Sequence, residues 1–359
     1  MSVCLSMIVK NEAKTIERCL RSVLPFVSAA AISDTGSNDA TPSIILDTLT
    51  PTIPAYTEFH EWRNFGLNRN EALAMARGFG DWILTIDADE ELIPVGPLEL
   101  DPGVDAYEVK CVGAGSTYWL RRIFKNDGNW HYVGATHEVI VPKKPDPVVR
   151  RLEAFWYKDH TDGNRRATRR KIPEDIALLE QQVKLLPDDA RTVFYLAQSY
   201  LAAGKRAKAL ASFDHRVLMG GWPEEVYYSL LQIAGIKHAQ AGYIWNAVEA
   251  YLLAWAYRPQ RYEAVNILLR ELRAKEAWAT IYSLGRMIPF GLNPEIPQPE
   301  QDVLFVEPCA RWLAIEELGV AAWHLGKREE AGGLWTLVLG WADLPQEHRT
   351  RLEENMRWI

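Results

Sequence analysis

Four carboxylates lie within five residues of one another, directly after an apolar segment with strand character. The apolar segment is residues 82–86, and the acids that follow it are Asp87, Asp89, Glu90 and Glu91. In an open α/β sheet, ligands bind outside the carboxyl ends of the strands. Carboxylates this close repel one another unless they share a cation, and Mg²⁺ or Mn²⁺ prefers one or two carboxylates together with substrate phosphates. The cluster therefore predicts a metal and phosphate site, with a solvated acidic turn as the alternative.

Two strand–loop–helix patterns precede the acidic cluster. Residues 3–9 form a continuous apolar run typical of a buried strand, and residues 16–24 place apolar side chains at helical spacing. A second strand at residues 29–33 leads into the polar segment 34–41, whose side chains can cap a helix or bind a ligand. This alternation predicts a parallel sheet with right-handed crossovers. Polar loops after neighbouring parallel strands form a cleft suited to a nucleotide.

Four segments, in order over about the first 160 residues, resemble the family 2 glycosyltransferases with a GT-A fold. They are residues 7–12 (MIVKNE), 34–39 (DTGSND), 69–74 (RNEALA) and 81–90 (DWILTIDADE). The resemblance implies an α/β, Rossmann-like mixed-sheet catalytic domain at residues 1–160. An all-α, tetratricopeptide-like domain follows at residues 172–359. The chain is most similar to a subgroup that carries such helical repeats, as do the S-glycosyltransferases that modify peptide cysteines.

The same resemblance implies an enzyme that transfers a hexose from a nucleotide-sugar, such as UDP-glucose, to an acceptor with inversion. The loops after the first two strands then hold the nucleoside, and Asp34 accepts the imide N–H of uracil, a bond of about 1–3 kcal/mol when buried. A guanidinium from Arg69 reaches the diphosphate, Asp87 meets the ribose or a metal-bound water, and Arg122 braces the phosphates. The other expected donor-binding residues are Val9, Asn11, Glu12, Ser37 and Ala88.

Some of these residues also have a purely structural interpretation. Asp34 and Ser37 can serve only as caps of the helix that follows them, and Arg69 can be an ordinary surface arginine. Strand alternation puts Arg121 and Arg122 on opposite faces, so the sequence leaves open which of them points inward.

By the resemblance, Asp89 is a catalytic residue because it ligates the Mn²⁺ or Mg²⁺ ion. The metal bridges both phosphates and stabilises the departing nucleotide. The pair His137 and Glu138 occupies the region where the family places a catalytic acid after the acceptor-side strands. Glu138 is the expected general base that deprotonates the acceptor. His137 is a third metal ligand, orients the acceptor, or has only a structural role.

Two other classes of protein compete with the transferase hypothesis. In one, the helical repeats are the working part and the transferase domain is a degenerate scaffold, which the intact Asp87-Ala88-Asp89 sequence, the Asp34 loop and Arg69 disfavour. In the other, the chain is a nucleotidylyltransferase, which also holds a metal with carboxylates beside a parallel sheet. That class usually needs a basic, glycine-rich phosphate loop, and residues 9–12 contain no glycine.

Composition narrows the class further. At 359 residues the chain is long enough for two domains, and its net charge of −7 weighs against nucleic acid as the main partner. It has no run of about 18 apolar residues and no signal sequence, so we expect no transmembrane segment. The four cysteines are far apart, which favours buried free thiols in a reducing cytoplasm: Cys4, Cys19, Cys111 and Cys309.

The second half of the chain is repetitive. Residues 204–209 (GKRAKA) recur at 326–331 (GKREEA), and Gly242 starts a further copy 38 residues after Gly204. This pattern resembles degenerate tetratricopeptide repeats, whose stacked helices form concave surfaces suited to a peptide. A peptide or protein is therefore the expected acceptor, and a cell-envelope saccharide is the main rival. The alternative is that these helices only cover the sheet or form a homodimer interface.

Two further segments stand out by composition. Arginines and one lysine crowd together at residues 165–171, where they either contact the nucleotide or an acidic acceptor or begin a solvated helix. Five prolines within residues 285–308 predict a break in the helical array.

Overall fold

The computed structural model describes residues 1–113, 116–164, 171–288, 312–342 and 344–359. The chain divides into two compact units, Met1–Ala203 and Gly204–Ile359. The first unit is built on a mixed sheet, and the described part of the second is helical. This confirms the expected fold class, a mixed-sheet α/β domain followed by helices. The helices at 171–202 fall in the first unit, whereas the boundary predicted from the sequence assigns them to the second.

The first unit contains ten strands in its described ranges. They are β1 (Val3–Val9), β2 (Ala29–Asp34), β3 (Ala55–Phe59), β4 (Trp82–Thr85), β5 (Glu90–Pro94), β6 (Ala106–Gly113), β7 (Ser116–Lys125), β8 (Trp130–Val133), β9 (Val139–Pro142) and β10 (Val149–Asp159). Eight form one sheet in the order β3-β2-β1-β4-β7-β6-β10-β5, and β8 pairs with β9. Pairing is parallel from β3 to β4 and antiparallel where β7 joins β4 and β6.

The helices of the first unit are α1 (Ile16–Val23), α2 (Thr41–Leu49), α3 (Phe65–Met75), α4 (Lys171–Leu185) and α5 (Ala190–Ala202). The apolar run of β1 is explained by helices on both faces of the sheet. Leu5 and Leu20 lie in one buried cluster, and Cys4 and Leu73 lie in the cluster on the opposite face. Both strand faces are therefore removed from water, as the sequence pattern predicts for a parallel strand.

Strand β5 was not expected. The segment 92–104 has the composition of a loop, yet its first residues belong to β5, which pairs antiparallel with β10. β5 begins with two glutamates and ends at Pro94, so its sequence carries no strand signature. Its pairing partner lies some 60 residues further along the chain, and only the folded sheet reveals it.

The described part of the second unit is a series of helices. These are α6 (Arg206–Met219), α7 (Pro223–Ala241), α8 (Val248–Tyr257), α9 (Glu263–Arg273), α10 (Trp278–Met287), α11 (Trp312–His324), α12 (Arg328–Leu339) and α13 (Gln346–Met356). The three repeat glycines follow helix ends with φ angles of 72°, 61° and 77° at Gly204, Gly242 and Gly326. Only glycine adopts this conformation freely, so these positions act as the predicted helix stops.

Several sequence features lie at the edge of the described ranges. Residues 165–170 of the basic cluster, most of the proline-rich interval and Cys309 lie outside them. The other cysteines, Cys4, Cys19 and Cys111, are buried free thiols as expected. None of the helices within the described ranges has the length and apolar composition needed to cross a membrane.

Candidate active site

Arg69 is the centre of an ion-pair network that joins three parts of the first unit. Its Nε donates to Oε1 of Glu138 at 2.5 Å, and its Nη2 donates to Oδ1 of Asp87 at 2.6 Å. The side chain is only 10% exposed. Burial acts to lower the pKa of Arg69, but the charges of Asp87 and Glu138 outweigh it and the pKa is raised. Arg69 is therefore a permanently charged clamp between two carboxylates and not a surface residue.

Close packing of α3 against the chain before β9 sets the position of Arg69. A Cβ atom at Gly66 would lie 2.3 Å from the carbonyl oxygen of Gly134, so the two backbones touch at a point where no side chain fits. One helical turn later, the amide of Asn70 makes two hydrogen bonds with the backbone of Tyr132, at 2.9 and 2.7 Å. These contacts fix the helix against the segment that leads to Glu138.

Arg122 forms a second clamp on the same acidic turn. Its Nη2 donates to Oε1 of Glu90 at 2.7 Å and lies 3.5 Å from Oδ2 of Asp87. Asp87 thus faces two guanidiniums, one from Arg69 and one from Arg122. Arg69 and Arg122 thus bring positive charge to the acidic cluster, for which the sequence predicts a divalent metal ion.

These contacts shift the pKa values of Asp87 and Glu90 in opposite directions. Burial acts to raise the pKa of Asp87, but Arg69 and Arg122 outweigh it and hold that pKa well below its usual range. Burial raises the pKa of Glu90 to about 7, since attraction to Arg122 only partly offsets it and the charge of Asp87 opposes ionisation. Near neutral pH, Asp87 is therefore ionised, whereas Glu90 is only partly ionised.

A β-bulge determines which of the two adjacent arginines points inward. In the pairing of β6 with β7, Tyr107 is opposite Ile123 and Glu108 is opposite Arg121, so Arg122 is the extra residue. Bulges commonly redirect side chains next to active sites. Arg122 is buried and Arg121 is partly exposed, which answers the question that strand alternation left open.

The loops after β1 and β2 are joined to each other by hydrogen bonds. The backbone N–H of Asn11 donates to Oγ of Ser37 at 2.9 Å, and Oδ1 of Asn11 accepts from the N–H of Asn38 at 2.8 Å. Asn11 has a φ of 57°, which an asparagine tolerates better than most residues. The side chains of Val9 and Ala88 are buried in the apolar core, so these two expected donor residues offer only backbone atoms to a ligand.

Asp34 shapes its own loop with one oxygen atom. Its Oδ1 accepts from the N–H groups of Gly36 and Ser37, at 2.9 and 2.8 Å. Within the described ranges no residue donates to Oδ2. The helix α2 has no side-chain cap at Ala40, so capping of that helix does not account for Asp34 or Ser37.

The segment that follows β10 lies across the acidic cluster. The N–H of His160 donates to the carbonyl oxygen of Asp89 at 3.3 Å, and its Nε2 lies 2.7 Å from Oε2 of Glu91. A Cβ atom at Gly163 would lie 2.5 Å from Oδ2 of Asp89. The second acid of the D-x-D sequence therefore packs directly on a glycine, and the imidazole of His160 lies beside Glu91.

The same segment also closes on the first loop of the sheet. The N–H of Asn164 lies 3.2 Å from both carboxylate oxygens of Glu12, and Asp162 pairs with Arg18 at 2.9 Å. Burial raises the pKa of Glu12, and the nearby charge of Asp89 adds to that rise. Residues 160–164 thus contact both Glu12, an expected donor-binding residue, and the acidic cluster.

Sequence reasoning missed the contributions of His160, Gly163 and Asn164. A lone histidine and a lone glycine in a polar segment give no spacing signal. They reach the site only because β10 returns beside β5. Glu91 lies in β5 and does not cap a helix.

His137 lies against α5. Its ring stacks on that of Tyr195, with centroids 4.0 Å apart and planes inclined by 3°. Burial lowers the pKa of His137 to about 4, so its ring is neutral at physiological pH. Among the described residues, no three His, Cys, Asp or Glu side chains are grouped in a way that could hold a metal by themselves. The contacts of His137 give no support for the ligand role expected from the sequence.

The expected residues therefore form two connected groups. The first group is the ion-pair network of Arg69, Asp87, Arg122 and Glu138. The second group lies on the two loops after β1 and β2 and contains Asn11, Glu12, Asp34 and Ser37. The arrangement combines a cleft at strand ends, an acidic turn and a buried carboxylate held by a guanidinium. A site of this composition suits a phosphorylated, nucleotide-like ligand.

One comparison with known proteins concerns the N-terminal part of the chain. Residues 4–100 match the family model for Glycosyl transferase family 2. The N-terminal part of this chain is therefore similar to the glycosyltransferase family 2 domains.

Two kinds of relatives resemble longer parts of the chain. A TPR repeat-containing protein of Synechococcus elongatus is 30% identical over 278 residues, covering 70% of this chain and 65% of that protein. The structure of S. aureus TarS covers 70% of this chain and 55% of its own, at 12% identity and a TM-score of 0.39. The structure of MamA covers 55% of this chain and 96% of its own, at 16% identity and a TM-score of 0.34. This chain thus spans less than two thirds of the length of the first two proteins.

Proposed function

We propose that this chain transfers a sugar from a UDP-sugar to an acceptor with inversion at the anomeric carbon. The observation that carries the proposal is the bridge made by Arg69 between Asp87, the first acid of the D-x-D sequence, and Glu138. One guanidinium thereby holds a donor-side acid and a candidate base at a fixed separation. The match of residues 4–100 to the family model for Glycosyl transferase family 2 supports the reaction class.

The two loops after β1 and β2, which are hydrogen-bonded to each other, are assigned as the binding site of the nucleoside. Asp34 keeps Oδ2 without a donor among the described residues, and an oxygen in that position can accept the imide N–H of uracil. A cytosine lacks this N–H group. Asp34 therefore supports uridine as the nucleoside, with the loop of Asn11 and Glu12 as the facing wall of the pocket.

The acidic turn fits a hard divalent cation. When all are ionised, Asp87, Glu90 and Glu138 carry one negative charge more than Arg69 and Arg122 neutralise, before Asp89 is counted. Carboxylate oxygens together with phosphate oxygens are the ligand set that Mn²⁺ and Mg²⁺ prefer. We assign Asp89 as the protein ligand; the bound ion would neutralise the diphosphate as a Lewis acid.

Glu138 is assigned as the base that removes the proton of the acceptor. Its Oε1 is held by Arg69, and no described residue donates to Oε2, which leaves that oxygen for the acceptor hydroxyl or thiol. The acceptor atom forms its bond to the anomeric carbon as the bond from that carbon to the β-phosphate oxygen breaks, and the nucleoside diphosphate leaves with the bonding electrons. We assign His137 to the acceptor side, because it adjoins Glu138 and is neutral.

A polypeptide is the proposed acceptor. The described part of the second unit is helical and has left-handed glycines after some of its helices, and stacked helical pairs present extended surfaces suited to a peptide. A saccharide of the cell envelope is the main rival. A homodimer formed through these helices is a further role for the second unit.

Calorimetry with nucleotides tests the donor assignment. We expect UDP to bind in the presence of Mn²⁺ and to bind more weakly without it. The variant Asp89→Asn should lose the metal-dependent part of the affinity while retaining the fold. Tighter binding of another nucleoside diphosphate would overturn the UDP assignment. Binding of no nucleotide, with or without metal, would instead favour a scaffold with an inactive transferase domain.

A further inference from the structure

The segment that carries the proposed base is held from outside the sheet by α4 and α5. Oε1 of Gln182, on α4, accepts from the N–H of Ala135 at 2.5 Å. The hydroxyl of Thr136 donates to Oδ1 of Asp175, also on α4, at 3.1 Å. Gln182 and Asp175 are both buried, so these bonds are protected from competition with water. Two consecutive residues before Glu138 are therefore tied to one helix.

The next residue is held by the second helix of the hairpin. The ring of His137 stacks on that of Tyr195, and its carbonyl oxygen accepts from the guanidinium of Arg191 at 3.3 and 3.4 Å. The same guanidinium lies 4.9 Å from the centre of the Tyr195 ring. His137 has a φ of 53°, a conformation that a non-glycine residue keeps only when its surroundings impose it.

The orientation of the Gln182 amide is fixed by its other bonds. Its Nε2 donates to Oγ1 of Thr192 at 2.7 Å and to Oδ2 of Asp189 at 3.1 Å. Asp189 is also the N-cap of α5. Because both amide hydrogens are used at the start of α5, the oxygen must face Ala135. Gln182 thus joins α4, α5 and the base segment in one satisfied network.

We propose that the α4–α5 hairpin is a positioning element of the catalytic unit, with Gln182 and Tyr195 as its positioning residues. They hold residues 135–137 so that Glu138 meets Arg69 in one geometry. The inference rests on the proposed role of Glu138 as base. It gives the α4–α5 hairpin a positioning role in the reaction, whereas the helices from Gly204 onward remain the proposed acceptor surface.

The test uses the full chain with the variants Gln182→Met and Tyr195→Ala. Each should lower kcat for transfer by about tenfold or more, while the Kd for UDP with Mn²⁺ changes by less than about twofold. Tyr195→Phe keeps the stacked ring and should retain nearly full kcat. The matched control is Tyr200→Phe, which removes a hydrogen bond between α5 and Glu180 of α4 without touching the base segment.

Amide hydrogen exchange of residues 134–138 gives a readout that does not depend on turnover. Exchange should accelerate in Gln182→Met and Tyr195→Ala and stay unchanged in Tyr200→Phe. Normal exchange and normal kcat in both hairpin variants would overturn the inference. So would equal losses in the Tyr200→Phe control, because the hairpin would then act only through general stability.

Failure of the proposed function is distinguishable from failure of this inference. If Glu138→Gln transfers sugar normally, the base is elsewhere, and the exchange data alone decide whether the hairpin holds the segment. If Glu138→Gln is inactive while both hairpin variants keep full kcat, the base assignment stands and the positioning role is wrong.

Discussion

The Nε atom of Arg69 and the Oε1 atom of Glu138 lie 2.5 Å apart, inside a site where the arginine is also bonded to Asp87. One buried side chain therefore connects the donor-side acid with the proposed base. The two carboxylates are 51 positions apart in the sequence. The side chain of Arg69 sets the distance between them.

Arg69→Lys should break the bridge, because an ammonium group cannot reproduce the fork that meets two carboxylates at once. Loss of one charge-assisted hydrogen bond costs about 1.5–3 kcal/mol, so we expect kcat/KM to fall by about 10- to 100-fold. The measurement is steady-state release of nucleoside diphosphate with acceptor present. Arg63→Lys is the matched control, since Arg63 precedes α3, pairs with Glu71 of that helix and has a side chain that is 52% exposed. Equal effects in both variants would contradict a special role for Arg69.

Glu138→Gln should suppress transfer while sparing donor affinity, because a base acts on the acceptor and not on the nucleotide. We expect kcat to fall by about 100-fold or more and the Kd for UDP with Mn²⁺ to stay within about threefold. Single-turnover transfer and calorimetry measure the two quantities separately. A large loss of UDP affinity with intact transfer at saturating donor would move Glu138 to the donor site.

Gly163→Ala should weaken metal-dependent UDP binding. The added Cβ would lie 2.5 Å from Oδ2 of Asp89, so the proposed metal ligand must move. We expect the affinity gained on adding Mn²⁺ to fall by about tenfold. Gly96→Ala is the control in the same unit, because a Cβ there meets nothing within 4 Å. Unchanged metal dependence in Gly163→Ala would show that Asp89 does not bind the ion through this oxygen.

Glu90 should make the protein less stable as the pH rises towards neutral. Its folded pKa of about 7 lies above the ordinary value of 4.5, so the folded state binds this proton more tightly than the unfolded state. The contribution is complete below about pH 4.5 and is lost as the pH passes 7, at most about 3 kcal/mol. Glu90→Gln cannot ionise and removes the contribution. Urea unfolding at about pH 5 and about pH 8 should show a smaller decline in the variant than in the parent chain; parallel declines would contradict the assignment.

Deleting residues 204–359 separates the proposed acceptor surface from the catalytic unit while keeping the positioning hairpin. We expect the shortened chain to bind UDP with Mn²⁺ and to hydrolyse donor slowly, but to lose transfer to a polypeptide acceptor by about tenfold or more. Light scattering on both chains reports whether the deleted helices form a dimer. Equal transfer by both chains would mean that these helices do not recruit the acceptor.

The sequence was informative where local pattern and local structure coincide. The apolar runs of β1, β2 and β4 mark strands buried on both faces, and the repeat glycines mark helix ends. It was silent where distant segments meet. Nothing near Arg122 signals that a bulge redirects it, because the mismatch exists only against the pairing partner in β6.

The same limit applies to the surroundings of the proposed catalytic acids. Asp89 and Glu138 stand out as acids in recognisable segments. Their immediate neighbours Gly163 and Gln182 are common residues in unremarkable positions, and the pairing of β10 and the packing of α4 bring them to the site. Chemistry is thus visible in residue type and spacing, whereas the geometry that tunes it depends on tertiary contacts.

The contact between Glu12 and Asn164 spans 152 positions of the chain. During synthesis the N-terminal residues emerge first. The loop of Glu12 and the acids from Asp87 to Glu91 therefore exist for some time without the segment that covers them. Contacts of such long range also slow folding, because loop closure must precede any gain from them. The contacts of α4 and α5 with residues 135–137 form only after these helices, which end at Ala202, have left the ribosome.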